Sequence, residues 1–467
     1  MLDVVYRFRS IDKLLEHREL ERRQIYLAPP EKLNDPMEGY KDVLWRGDAI
    51  LWENLVRHYL LALLMGASQC VLAPPGRFAE PKIWAGWTEE DLPTDAFRGL
   101  YAEVCDDFSR RIDGAPLYTH LLALDRPLRR EGIRFVLWMF HSTALLAVSS
   151  TLEKHGLSRS SLDGRLSTSA ELKQMIALLS KNLSTSESGD LELLAASFNR
   201  VRQEQMLRLA FDLERTQPDK DAREKFRYLV ADFVDRYVLT VVEGLIHPAW
   251  RTACFTATCT NASNWASYGD QHCGVALVFR PAFDGGQPFL PLSGVTGISG
   301  GVGQPDRLMR GPLKGLLRRV VYTNRPPEID FFRSLGNLPR ARVARIWHTN
   351  RSGERSTFID ENVGTPAWRE AYWASFQNVM TTKLEDWKHE EEYRIVQPDL
   401  LGLGESSALV EYEFSNLVGV VFGLRTTHAH KIEIMKQILP QCERAGRTDF
   451  EFFQMAYDPV TGRLVRQ

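Results

Sequence analysis

The sequence predicts an α+β protein in which both chain ends build one mostly antiparallel sheet and a large helical insertion separates them. Two patterns carry this. Alternating or apolar runs of strand length occur near the N-terminus and return after Pro248, while the residues between repeat apolar side chains at three-to-four spacing. The expected division is residues 1–44, 45–248 and 249–467. Composition is that of an ordinary globular chain: 44% hydrophobic and 25% charged over 467 residues. No internal repeat divides it.

From the N-terminus, Val4 to Arg9 alternates as a strand, with Tyr6 and Phe8 on one face and Arg7 and Arg9 on the other. Ser10 is suited to cap a helix running to Leu20, because its hydroxyl can accept from a first-turn amide. Gln24 to Ala28 reads as a second strand that stops at Pro29-Pro30, and Leu33 to Gly39 as a turn. In the helical part, Phe226, Val230, Phe233 and Tyr237 form one core stripe, and Leu194, Phe198 and Val201 another. Ser158–Ser161 and Ser180–Ser188 read as connecting loops. Strands are expected at Val275–Phe279, Arg319–Thr323, Tyr393–Gln397, Leu409–Phe414, Leu417–Phe422 and Phe450–Met455. The glycines from Gly294 to Gly315 suggest a mobile loop without the phosphate-cradling pattern, and His430–Leu439 a short amphipathic helix.

Several classes lack support. Net charge is −2, from 58 basic and 60 acidic residues, so no overall attraction to nucleic acid or anionic membrane is expected. Six scattered cysteines do not make a disulfide scaffold or a zinc pattern, so no metal is assigned. The N-terminus lacks signal-peptide character, and Phe135–Val148 is too short and too interrupted for a membrane span. A cytoplasmic protein is expected.

Two segments carry candidate chemistry. Lys383 to Val396 sets Glu390, Glu391 and Glu392 ahead of an apolar strand, and strand alternation puts Glu390 and Glu392 on one side. Adjacent carboxylates raise one another's pKa and suit base or transition-state work; the alternative is an acidic turn paired with Lys388 or Arg394. Cys254 to Phe279 holds Trp265 and Tyr268, three apart and able to sandwich a flat ligand unless they are core aromatics, with Asp270 and His272 beyond.

With these pieces the chain resembles a bacterial family catalogued as domain of unknown function 2971. The matching segments are Tyr6-Arg7-Phe8-Arg9, Asn34-Asp35-Pro36-Met37-Glu38, Cys254-Phe255, Trp265-x-x-Tyr268, His272-x-Gly274-Val275 and Val321-Tyr322. Trp387-x-x-Glu390-x-Glu392-Tyr393-Arg394 and Gly419–Gly423 complete the pattern. The layout also resembles, more remotely, ADP-ribosyltransferase-like domains. That resemblance implies NAD as cofactor, held by Arg7 or Arg9 on the first strand. Tyr6, Trp265, Asn34, Asp35 and His272 would complete the binding side, and Glu392, Glu390 and Tyr268 would be catalytic. An arginine fork suits the pyrophosphate, and a carboxylate can stabilise an oxocarbenium-like ribose. Such an enzyme would be a toxin or anti-phage defence effector acting on a macromolecular target. Two alternatives stay open. One is a metal-dependent phosphodiesterase or nuclease using Asp35, Glu38, Asp270, His272, Glu390 and Glu392. The other is a non-enzymatic sensing or interaction module, with the acids packed against Arg7, Arg9 and Arg394.

Overall fold

The computed structural model describes residues 2–74, 76–113, 116–158, 188–300, 307–359 and 363–467. Apart from Ser158 and Ser188, both expected serine-rich loops lie outside these residues. The chain forms two compact units. A sheet unit comprises Met1–Lys41, Ala249–Pro327 and Ala374–Gln467; a helical unit comprises Asp42–Pro248 and Glu328–Trp373. The helical unit therefore takes back a stretch of the C-terminal part, because β3 (Asp42–Leu44) pairs in parallel with β10 (Glu328–Asp330).

The α+β class and the assembly of the sheet from both chain ends stand as expected. The sheet strands are β1 (Val5–Arg9), β2 (Gln24–Tyr26), β4 (Trp250–Thr256), β5 (Val275–Phe279), β7 (Gln287–Ser299) and β8 (Arg307–Arg319). They continue with β12 (Glu392–Pro398), β13 (Leu409–Tyr412), β14 (Leu417–Phe422), β15 (Glu451–Asp458) and β16 (Arg463–Arg466). Their spatial order is β16-β15-β14-β5-β1-β4-β12-β8-β7-β13-β2, and every pair is antiparallel except β14 with β15. β1 from one chain end sits between β4 and β5 from the other.

Register fixes the two faces of this sheet. Tyr6 pairs with Thr256, and Thr256 with Glu392, so these three project to one side with Phe8, Ala276 and Trp265. Val5, Phe255, Leu277 and Ile395 project to the other and form the main core. Within the glycine-rich stretch, Gly294–Ser299 and Arg307–Gly315 are strand and not loop: they belong to β7 and β8, paired antiparallel. A Cβ at Gly294 would meet Leu313, and one at Gly315 would meet Leu292 and Ile395. These glycines make room for cross-strand apolar side chains.

Local departures have local causes. Ser10 begins the helix Ile11–Glu16 without a side-chain cap bond, and the chain breaks at Arg18, which is left-handed, before Glu19–Arg22. The last helix runs His428–Ala445, straight through Pro440, and buries Ile434, Ile438 and Cys442. In the helical unit, Leu194 and Val201 are exposed; the buried face of Ser188–Thr216 runs through Ala195, Phe198 and Asn199 instead. In the other stripe Val230, Phe233 and Tyr237 are buried while Phe226 is half-buried, and a π-helical turn at Tyr228–Asp232 brings Tyr228 inside as well. Ala49–Leu72 and Arg130–Lys154 are long and apolar enough to cross a membrane, but most of each is buried in the fold. All six cysteines are free.

Candidate functional site

Three of the acids singled out by sequence, Glu38, Glu390 and Glu392, converge on a buried charge cluster in the sheet unit. Three segments build it. The turn after Leu33 is closed by Asp35, whose Oδ1 accepts from the Met37 amide at 2.9 Å, and it delivers Glu38. Gly39 follows with a φ of +67°, and a Cβ there would strike the Trp250 ring, so the turn needs glycine. β11 (Thr382–Lys383) pairs in parallel with β9 (Val321–Tyr322) and aims Lys383. The 3₁₀ turn Glu385–Glu390 ends at Glu391, which adopts a left-handed φ of 48°; β12 then starts at Glu392. Glu390 and Glu392 thus face inward together while Glu391 points to solvent.

Lys383 Nζ lies 2.7 Å from Glu390, 3.2 Å from Glu392 and 3.5 Å from Glu38. Arg394 donates Nε and Nη2 to the two oxygens of Glu392, at 2.7 and 3.0 Å. It donates Nη1 and Nη2 to the two oxygens of Glu38, at 2.6 and 2.7 Å, and Nη1 again to the Met380 carbonyl at 2.9 Å. All five guanidinium donors are used. None of these five side chains is more than 4% exposed. Tyr268 donates its hydroxyl to Glu390 at 2.6 Å, the Glu392 amide donates to Tyr322 Oη at 2.8 Å, and Lys383 lies 4.6 Å above the Trp387 ring.

Electrostatics follow from this packing. Burial pushes the Glu392 carboxyl up, but Arg394 and then Lys383 outweigh it and hold the pKa at about 2. Burial alone would lower the Lys383 ammonium; Glu392, Glu390 and Glu38 raise it above the ordinary lysine value. Three carboxylates share two cations, and burial, helped by the charge of Glu392, raises the Glu38 carboxyl against the pull of Arg394, so Glu38 takes up a proton before Glu392 does. The Cys254 thiol, buried on the same side as Glu392, is pushed well above its usual range.

The structure brings Glu390, Glu392 and Tyr268 together and separates them from the arginines of the first strand. Arg7 and Arg9 project from the opposite face of the sheet. Arg7 is buried, donates to the Tyr26 carbonyl at 3.0 Å and lies over Phe255, while Arg9 pairs with the buried Glu19. Neither can share a ligand with Glu392 through the intervening strands. Trp265 is fully buried, edge-on to Phe8 with its indole N–H on the Cys259 carbonyl, and leaves no ring face for a ligand. Tyr6 is buried on that face, its hydroxyl accepting from Arg466. Asn34 is exposed, whereas Asp35 is buried and serves the turn.

Asp270, Gln271 and His272 are consecutive residues with positive φ, a left-handed turn that lets Gly274 press against the Arg9 carbonyl and Gly423 against that of His272. Asp270 and His272 are thus committed to a tight backbone crossing. The partner that sequence reasoning missed is Lys383. Its signal lay in the acidic run itself, since buried carboxylates require cations within reach. Among the described residues, no group of three or more His, Cys, Asp or Glu is arranged to hold a metal. The point where Glu38, Glu390 and Glu392 converge holds an ammonium.

No protein-family model matches the chain, and no curated protein or solved structure is significantly similar to it.

Proposed function

We propose that the chain is a sensing or interaction module acting in the cytoplasm, and that its acids fasten the sheet unit instead of performing chemistry. The observation that carries this reading is the saturation of Lys383 and Arg394 by Glu38, Glu390 and Glu392, all closed to solvent. An ionic group that stabilises a transition state must reach the reacting atoms. These carboxylates reach their cations and, at Glu390, the Tyr268 hydroxyl. The resemblance to the domain of unknown function 2971 family fits the same reading. Its pattern covers Glu38, Tyr268, Glu390, Glu392 and Arg394, which build the cluster, and Gly274, which packs the sheet. The β7–β8 hairpin supplies a surface for a macromolecular partner. Its outer half leaves Ile298, Leu308 and Met309 exposed, apolar area of the kind that partners cover.

One contact favours a second reading, an NAD-using ADP-ribosyltransferase-like enzyme: Tyr268 and Glu390 touch at 2.6 Å, with Glu392 beside them. That chemistry requires Lys383 to leave both carboxylates and requires NAD to be held without Arg7 or Arg9. Calorimetric titration of NAD, with nicotinamide release followed alongside, separates the two. The module reading expects no binding and no release. Release by wild type but not by Glu392→Gln, with the variant folded, would establish the enzyme.

A further inference from the structure

The helical unit contains a cavity of about 180 Å³ between the helices Arg130–Lys154 and Ser188–Thr216 and the π-helical turn Tyr228–Asp232. Its wall includes Arg134, Trp138, Asn199, Arg202, Met206 and Asp235. Most of the charge there is already matched. Arg134 is 2.6 Å from Asp235 and 2.8 Å from Glu131, and Arg227 is 2.7 Å from Glu224 and 3.3 Å from Asp232.

Arg202 differs. Its guanidinium carbon lies over Trp138, 4.5 Å from the ring centroid, and the side chain forms no ion pair among the described residues. Its Nε is shielded from solvent and has no hydrogen-bond partner. A cation in such a position lacks the counter-charge that buried ions require. Asn199, one helical turn earlier and only 5% exposed, donates Nδ2 to the Glu131 carbonyl at 3.1 Å and to its carboxylate at 2.7 Å. The Asn199 Oδ1 acceptor is buried without a donor. An unmatched cation and an unmatched acceptor therefore share one cavity.

The π-turn is a third mark, since such insertions recur at functional sites. Here it presents the Leu229 carbonyl to His141 Nε2 at 2.7 Å. Burial, reinforced by Arg202, keeps that imidazole neutral. Arg202 thus stays the unmatched charge.

We propose that this cavity binds a small organic carboxylate carrying a hydroxyl or amino donor. The carboxylate forks onto Arg202, the donor meets Asn199 Oδ1, and the carbon skeleton lies against Trp138 and Met206. Planar guanidinium and carboxylate match as a bidentate pair. A single unmatched positive charge flanked by Asp232 and Asp235 favours a monoanion over a phosphate dianion. The volume is below the roughly 300–1,000 Å³ of clefts that hold drug-sized ligands, so the ligand is small. This inference does not rest on the reading of the charge cluster.

The test is calorimetric titration of the full chain with L-lactate and 4-hydroxybenzoate as probes, with 4-hydroxybenzamide and inorganic phosphate as controls. Saturable single-site binding of at least one carboxylate is expected, with none for the amide. Arg202→Gln should weaken it about tenfold or more. The proposal is overturned if neither carboxylate binds, if phosphate binds as tightly, or if folded Arg202→Gln binds like wild type. Should Arg202→Gln fail to fold, Met206→Trp fills the cavity and leaves Arg202 intact; binding should vanish, and its persistence sinks the proposal.

Discussion

In the sheet unit Lys383 and Arg394 sit among three carboxylates with almost no solvent. In the helical unit two buried polar contacts join histidine to tyrosine. His58 lies 2.8 Å from Tyr237 Oη and 2.8 Å from the Ala85 carbonyl, and His141 lies 2.6 Å from Tyr59 Oη and 2.7 Å from the Leu229 carbonyl. Burial pulls His58 down to about 4 and His141 to about 3, so both stay neutral. A neutral pair needs only one complementary atom at each end. A buried ion needs every donor and every lone pair answered, and it holds distant segments of chain in register by doing so. Glu38 and Arg394 come from opposite ends of the sequence, and their bidentate pair fastens the N-terminal turn to β12.

The contrast can be broken most forcefully at Arg394. Arg394→Ala leaves Glu38 and Glu392 buried with one shared lysine and should cost about 3–5 kcal/mol, read from the denaturant midpoint. Acid should attack the two units in sequence. The histidines bind protons less well folded than unfolded, so their contribution is complete above about pH 6.5 and is lost as pH falls through about 4 and then 3. Glu392 also has a lowered value; its contribution, about 3 kcal/mol, is complete above about pH 4.5 and is lost as pH falls toward about 2. Amide hydrogen exchange should therefore lose protection in Ala49–Leu72 and Arg130–Lys154 at a higher pH than in β4 and β12. Simultaneous loss would mean that the histidines do not set the acid limit of the helical unit.

Smaller effects sharpen the comparison. Tyr59→Phe removes the hydroxyl that meets His141 and should cost about 1–3 kcal/mol, because the imidazole nitrogen stays buried without it. Glu391→Gln should change the thermal midpoint by no more than about 0.5 kcal/mol in equivalent stability, since Glu391 faces solvent between its buried neighbours.

Much of the fold was legible where a single pattern dominated. Leu417–Phe422 was readable to the residue as a strand because every side chain in it is buried. Phe233 and Tyr237 were readable as core from helical spacing. The glycine-rich hairpin was not, because a glycine that admits a neighbour's leucine looks in sequence like one that confers mobility. The helix His428–Ala445 outran its expected end because Pro440 forfeits one backbone bond while Cys442 beyond it is still buried. At the charge cluster, alternation put Glu390 and Glu392 on one side, and the structure does bury both. Their partners were only half visible. Arg394 stood two residues away, but Lys383 depends on a short parallel pairing with Val321–Tyr322 that no local pattern announces. The separation of Arg7 from Glu392 is a matter of register, which two-residue alternation cannot give without knowing which residues are paired.

The most direct measurement is the denaturant unfolding of Glu392→Gln beside Glu391→Gln and wild type. Removing the charge from Glu392 leaves Arg394 and Lys383 under-paired in the interior, so Glu392→Gln should lose about 3–5 kcal/mol while Glu391→Gln unfolds with wild type. A Glu392→Gln protein as stable as wild type would contradict the account, since the carboxylate would then be dispensable to the fold.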